Sequence, residues 1–351
     1  MKALITFQPN KKLDYFEGSR LRKTIKGALE LNNVEYTTSI VDEYDVVHLL
    51  AYSDFSRAND AIAKNIPVIA SVMMCEGDSS ASYLDFKFDD GEVNYSLSNK
   101  ALKFLNKVDH VIVPCDSARE FLINQGVTSD ISVIMPGVNL ARFDFTREDE
   151  KCLFFRYFRE DPNRKLVISN GEVNSLEGIT AFIEAGKKCP EAIFYFFVNT
   201  LNETNKSTKL KAIIKKAPKN VHFTEIVPDD IYRSALINAS IFMLPCYRSA
   251  GVVTILEAMA AKCELIMREQ KLQLDFIKDG ETAHIARFSE TLSSLVKDCL
   301  DGKIKSTVTA AYEESKKYSL EIVGEKIKWI YQQEMNWKDN GGNNNDWFKS
   351  N

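Results

Sequence analysis

Short apolar runs alternate with amphipathic helical patterns along most of this chain, and that alternation restricts the fold more than any other feature. KALITF (2–7), DVVHLLAY (45–52), PVIASVM (67–73), HVIVPC (110–115) and DISVIMP (130–136) read as buried strands. Between them lie helical patterns at 19–33, 56–65, 98–108 and 116–126. The first carries Leu21, Ile25, Ala28 and Leu29 on one face and Arg20, Arg22, Lys23 and Lys26 elsewhere. Strands with continuous apolar character, separated by helices, predict a parallel sheet covered on both faces.

A second series repeats the pattern. Strands are expected at 165–170, 192–199, 221–227, 240–246 and 264–269, with helices at 175–189, 206–217, 228–239 and 254–262. The expected fold is therefore α/β, two tandem Rossmann-like doubly wound domains facing a cleft. The boundaries read as 1–145 for the first domain, 146–163 for a hinge and 164–288 for the second domain. C-terminal helices follow at 289–336, then a polar tail at 337–351 expected to be disordered.

At 351 residues, with 45% hydrophobic residues, the chain can bury two cores. Its net charge of −4 does not point to nucleic acid. Seven cysteines show no CxxC spacing, so neither a disulfide frame nor a metal site is expected. No apolar run reaches membrane-spanning length and the N-terminal run is short for a signal peptide, so a cytoplasmic protein is expected. Lys11, Lys12, Arg20, Arg22, Lys23 and Lys26 form the most cationic region, a candidate for peripheral contact with the inner face of a membrane.

SNGEVNSLEGI (169–179) joins a strand to a helix through a glycine turn, a geometry that favours a bound phosphate. Its charged residues, however, are Glu172 and Glu177.

Four stretches in order resemble glycosyltransferases of family 4, which have the GT-B fold: YFEGSRLRKTIKGALELNNVEYTT (15–38), VDHVIVPCDSAREFL (108–122), MPGVNLARF (135–143) and PCYRSAGVVTILEAMAAK (245–262). The first looks like the opening of bacterial diacylglycerol-glycolipid glycosyltransferases. The resemblance implies retaining transfer of a hexose from an NDP-sugar, without cofactor or metal. The nucleotide would lie on the second domain and the acceptor on the first.

Transferred onto these residues, the resemblance makes Glu257 the ribose-binding carboxylate of a Glu-x7-Glu pair, with Ser249 at the place of the first Glu. Gly171, Arg248, Ser249, Gly251, Val252, Val253 and Glu257 form the candidate donor side. Gly18, Ser19, Arg20, Glu76 and Asp78 form the candidate acceptor and phosphate side, with Gly18 and Ser19 as a turn opening the first helix. The family's Arg and Lys clamp on the diphosphate is occupied by Glu172 and Glu177. Two carboxylates about 4 Å from a diphosphate would each cost roughly 4 kcal/mol, unless they turn to solvent. No His stands where the lipid-type relatives carry one, and His48 is either a cleft residue or a structural one.

Two functions follow. One is a family-4-like protein with a degenerate donor site, a non-catalytic or weakly active subunit that binds an acceptor or a partner glycosyltransferase. The alternative is an active retaining enzyme moving a hexose from UDP-glucose or UDP-galactose to a glycolipid or glycan acceptor.

Overall fold

The computed structural model describes residues 1–6, 17–50, 55–73, 84–89, 92–144, 148–171, 176–198, 208–225, 227–246, 251–269 and 274–341. Its first half holds strands β1 (Lys2–Thr6), β2 (Glu35–Thr37), β3 (Val46–Leu49), β4 (Val68–Ser71), β5 (Leu84–Asp89), β6 (Glu92–Leu97), β7 (His110–Val113) and β8 (Asp130–Val133). Helices α1 (Glu17–Leu31), α2 (Phe55–Ala63), α3 (Asn99–Leu105) and α4 (Asp116–Asn124) lie between them. Short helices α5 (Glu148–Lys151) and α6 (Leu153–Phe158) follow. The expected hinge is thus partly helical, and α6 buries Phe154 and Phe155.

The second half holds β9 (Leu166–Gly171), α7 (Leu176–Lys188), β10 (Ile193–Val198), α8 (Thr208–Lys215), β11 (Val221–Thr224), α9 (Asp229–Asn238) and β12 (Ala239–Leu244). It continues with α10 (Val252–Ala260), β13 (Glu264–Arg268), β14 (His284–Ala286), α11 (Ser289–Leu300), α12 (Val308–Lys316) and α13 (Leu320–Asp339).

Two six-stranded sheets result, ordered β2-β1-β3-β4-β7-β8 and β11-β10-β9-β12-β13-β14. Every neighbouring pair in them is parallel. The central strands are apolar because helices cover both faces: all six residues of β10, IFYFFV, are buried. The α/β doubly wound expectation is met. An antiparallel hairpin, β5–β6, is an addition to it.

The last helix returns to the first sheet. Gly324 lets α13 cross α1 closely, since a side chain there would meet the Ala28 carbonyl oxygen at 2.3 Å. Lys338 on α13 pairs with Asp109 at 2.7 Å, both buried. The helix therefore runs to Asp339, past the expected start of the tail at 337; residues 342–351 lie outside the described set.

His48 is structural. It is fully buried on β3, with Nδ1 2.7 Å from the Tyr331 hydroxyl on α13 and Nε2 2.7 Å from the Ser71 hydroxyl. Burial pushes its imidazole down to about 3. The folded state keeps His48 neutral while the unfolded chain protonates it below its ordinary value, so its contribution is complete above that value. It is lost as pH falls toward 3, at about 1.4 kcal/mol per pH unit. His48→Gln should lower stability at neutral pH and flatten the pH dependence of urea unfolding by about one proton between about pH 4 and 6. A variant profile parallel to that of the native chain would show that His48 does not exclude the proton.

Candidate functional site

Ligands of open parallel sheets sit beyond the carboxyl ends of the strands, where the winding reverses. In the first sheet that point lies between β1 and β3, and in the second between β9 and β12. The helix after β1 is α1 and the helix after β12 is α10, and these two helices pack against each other. The two switch points therefore face one another.

Arg20 on α1 and Glu257 on α10 meet there. Glu257 is 3% exposed and so is Arg20. Arg20 Nη1 pairs with Glu257 Oε2. Arg142 Nη1, from the 3₁₀ turn Leu140–Phe143, pairs with Glu257 Oε1 at 2.8 Å. Its Nη2 pairs with Asp229 Oδ1 at 2.5 Å, at the start of α9. Both Glu257 oxygens are thus engaged by cations. The cluster of two guanidiniums and two carboxylates is electrically balanced, which is how a carboxylate can stay buried.

Aromatic and amide groups support the cluster. The Arg20 guanidinium lies 4.5 Å from the ring centroid of Tyr232, a contact strengthened by burial. Burial lifts the Tyr232 hydroxyl well above its ordinary range, with Arg20 opposing it. Asn170 Nδ2, near the end of β9, donates to the Tyr232 hydroxyl at 2.9 Å and to Thr254 Oγ1 at 3.3 Å.

Glu177 takes a different partner from the one its sequence position suggests. It sits in the first turn of α7, where the helix dipole favours an anion. Its Oε1 lies 3.3 Å from Arg268 Nη1. Arg268 is fully buried and also donates to Pro245 O, Arg287 O and Ser289 Oγ, each at 2.7 Å. The projected repulsion between Glu177 and a diphosphate is therefore relieved by a salt bridge rather than by solvent alone.

The other expected residues divide in two. Gly171 ends β9 with φ +139°, a backbone conformation that suits glycine. Gly251 caps α10, and Val252 and Val253 are buried in its first turn. Gly18 and Ser19 lie within the first turn of α1 rather than in a turn before it, because the helix already starts at Glu17. Glu76, Asp78, Glu172, Arg248 and Ser249 lie outside the described residues. Arg20 is withdrawn from the expected basic membrane face, since Glu257 draws it inward. Of the rest of that face, Lys23 is exposed, Arg22 and Lys26 are half-buried, and Lys11 and Lys12 lie outside the described residues.

The sequence reading did not single out Arg142, Asn170, Tyr232 or Arg268. Arg142 had a usable signal, since it falls inside MPGVNLARF.

Comparison with known proteins fits this geometry. The Glycosyltransferase Family 4 model matches residues 7–142, and the Glycosyl transferases group 1 model matches residues 153–318. The chain belongs to glycosyltransferase family 4. It is 26% identical over 336 residues to a processive diacylglycerol alpha-glucosyltransferase of Acholeplasma laidlawii, covering 95% of this chain and 98% of that one. It is 25% identical over 172 residues to an alpha-galactosylglucosyldiacylglycerol synthase of Streptococcus pneumoniae, covering 48% of this chain and 46% of that one. The fold matches Anabaena HepE, solved with UDP and glucose, at a TM-score of 0.71 and 13% identity, over 95% of this chain and 100% of that one. A glycosyltransferase of Rickettsia africae matches at 0.68 and 14% identity, over 95% and 98%. These are GT-B structures, and the two-sheet architecture described above is theirs.

Within this family 4 chain the buried pair has a measurable weight. Removing one partner strands the other charge in the interior. Arg20→Met should lower unfolding stability by about 3 kcal/mol, softened because Arg142 remains on Glu257. The double substitution Arg20→Met with Glu257→Gln should recover part of that loss. Denaturant unfolding of both single variants and the double variant checks this, and a double-variant loss equal to the sum of the two single losses would show that the pair is not coupled.

Proposed function

We propose that this chain is a family 4 glycosyltransferase homologue of the glycolipid-forming branch whose donor carboxylate has become a cross-domain latch. On this reading it binds nucleotide sugar weakly or not at all. It serves as a non-catalytic or weakly active subunit that holds an acceptor or a partner glycosyltransferase. The observation that carries the reading is the engagement of both Glu257 oxygens by Arg20 and Arg142. Each oxygen keeps a second lone pair, but the carboxylate is 3% exposed, so a ribose diol would reach it only by opening the contact with the two arginines.

The sequence adds to this. Ser249 stands at the place of the family's hexose-binding Glu, and Glu172 and Glu177 at the places of its diphosphate cations. Each lost donor to developing charge is worth about 3–4 kcal/mol of transition-state stabilisation, so losses at several positions lower turnover by many orders of magnitude. The acceptor side would face a membrane. No described helix is long and apolar enough to cross one. Contact would be peripheral at the inner face, through Lys11, Lys12, Arg22, Lys23 and Lys26.

A second reading has its own support. Arg20 and Arg142 bring two guanidiniums to the cleft, and a donor diphosphate could claim them from Glu257 as a relocated clamp. The full-length similarity to the A. laidlawii glucosyltransferase favours this active form. Calorimetric titration of the full chain with UDP-glucose and UDP-galactose separates the two. The latch reading expects no binding tighter than roughly 1 mM. A Kd in the micromolar range, weakened at least about tenfold by Arg142→Ala and accompanied by hexose transfer to diacylglycerol vesicles, would replace it with the active enzyme.

A further inference from the structure

At the amino ends of the first sheet's strands, opposite the cleft, a cavity of about 370 Å³ lies between the sheet and α13. His110 opens β7 and Asp130 opens β8, and the two residues are direct partners in the parallel ladder. Glu334 reaches them from α13. One ligand atom from each of the three lies within 4.8 Å of the other two. His110 is buried, the Glu334 side chain is 12% exposed and Asp130 is exposed.

We propose that His110, Asp130 and Glu334 form a site for a divalent cation of the Zn²⁺ class, which fastens the last helix of the chain to the first sheet. The donor set, one imidazole and two carboxylates, suits such an ion. His110 Nδ1 lies 2.9 Å from Glu334 Oε1, and Nε2 lies 2.9 Å from Ser132 Oγ. Two lone pairs cannot face each other at that distance, so a proton or a cation must stand between Nδ1 and the carboxylate. The Ser132 hydroxyl can donate to Nε2 or accept from it, so it supports either state. When Nδ1 binds the ion, Nε2–H donates to Ser132, the arrangement that orients a ligating histidine.

The surroundings favour the ion. The nearby cation, Lys338, is already paired with the buried Asp109 at 2.7 Å. Donor atoms about 2.1 Å from a tetrahedral ion stand about 3.4 Å apart, so Nδ1 and Oε1 spread slightly from 2.9 Å while the exposed Asp130 side chain closes in. The cavity leaves room for water in the remaining positions. Its place at the amino ends of strands, away from the cleft, marks the ion as structural rather than catalytic. Trp329 and Trp337 line the same cavity and are 57% and 39% exposed, which supplies a spectroscopic reporter.

The test uses the full chain stripped with chelator, then titrated with Zn²⁺, and with Co²⁺ for its visible spectrum. The expected result is one ion per chain, a change in tryptophan fluorescence, a raised Tm and Co²⁺ bands without thiolate charge transfer. Asp130→Asn, at an exposed side chain, should weaken binding by at least about tenfold with the metal-free Tm unchanged, and Glu334→Gln should weaken it similarly. Absence of binding tighter than roughly 1 mM, native affinity in Asp130→Asn, or thiolate bands in the Co²⁺ spectrum would each overturn the site.

Discussion

A carboxylate removed from water costs several kcal/mol unless cations go with it, and Glu257 is such a group. Its two partners come from different parts of the chain. Arg20 arrives on the helix after β1, and Arg142 on the turn that leaves the first sheet. Pairing both with one carboxylate on α10 fixes how the carboxyl ends of the two sheets face each other. Tyr232 beneath Arg20, Asp229 beside Arg142 and Asn170 on Tyr232 then take up positions that follow from the first contact.

The opposite end of the first sheet is held by different means. There α13 packs against α1, allowed by Gly324 and fixed by Lys338 on Asp109. His48 bonds to Tyr331 on the same helix through a neutral imidazole. The last helix in sequence is therefore part of the first domain in packing. Lys338 fixes the helix at Asp109, just before β7, while Tyr331 meets His48 toward the carboxyl end of β3.

The sheets were legible because their signal is local: apolar runs of strand length, spaced by helical periodicity, admit few arrangements. The β5–β6 hairpin was passed over although LDFKFD and EVNYSL each alternate apolar and polar residues, the period of a strand with one face covered. At the site, Arg20 and Glu257 could each be singled out from their own surroundings. Their meeting could not, because it joins residues 237 positions apart and no local pattern encodes it. Arg142 lies within GVNLARF, but no local pattern there shows that its side chain reaches Glu257. Arg268 closes an apolar strand, ELIMR, and nothing nearby shows that it is folded inward onto three acceptors.

That buried arginine changes the electrostatic argument about the cleft. Taken alone, Glu177 would repel a diphosphate; with Arg268 at 3.3 Å, that repulsion is offset by a neighbouring positive charge. The departure from the family pattern at this position is then a loss of attraction, not a gain of repulsion. Arg268 cannot supply the missing attraction, since turning toward the cleft would break its bonds to Pro245, Arg287 and Ser289 and expose a packed core position. Arg20 and Arg142 differ from it in that the group holding both, Glu257, is itself an anion, whose place a bound diphosphate would have to take. On the proposed reading, donor affinity would be set by a competition between two anions for the same guanidiniums. Glu257 enters that competition already bound, buried and without the cost of bringing a ligand from solution.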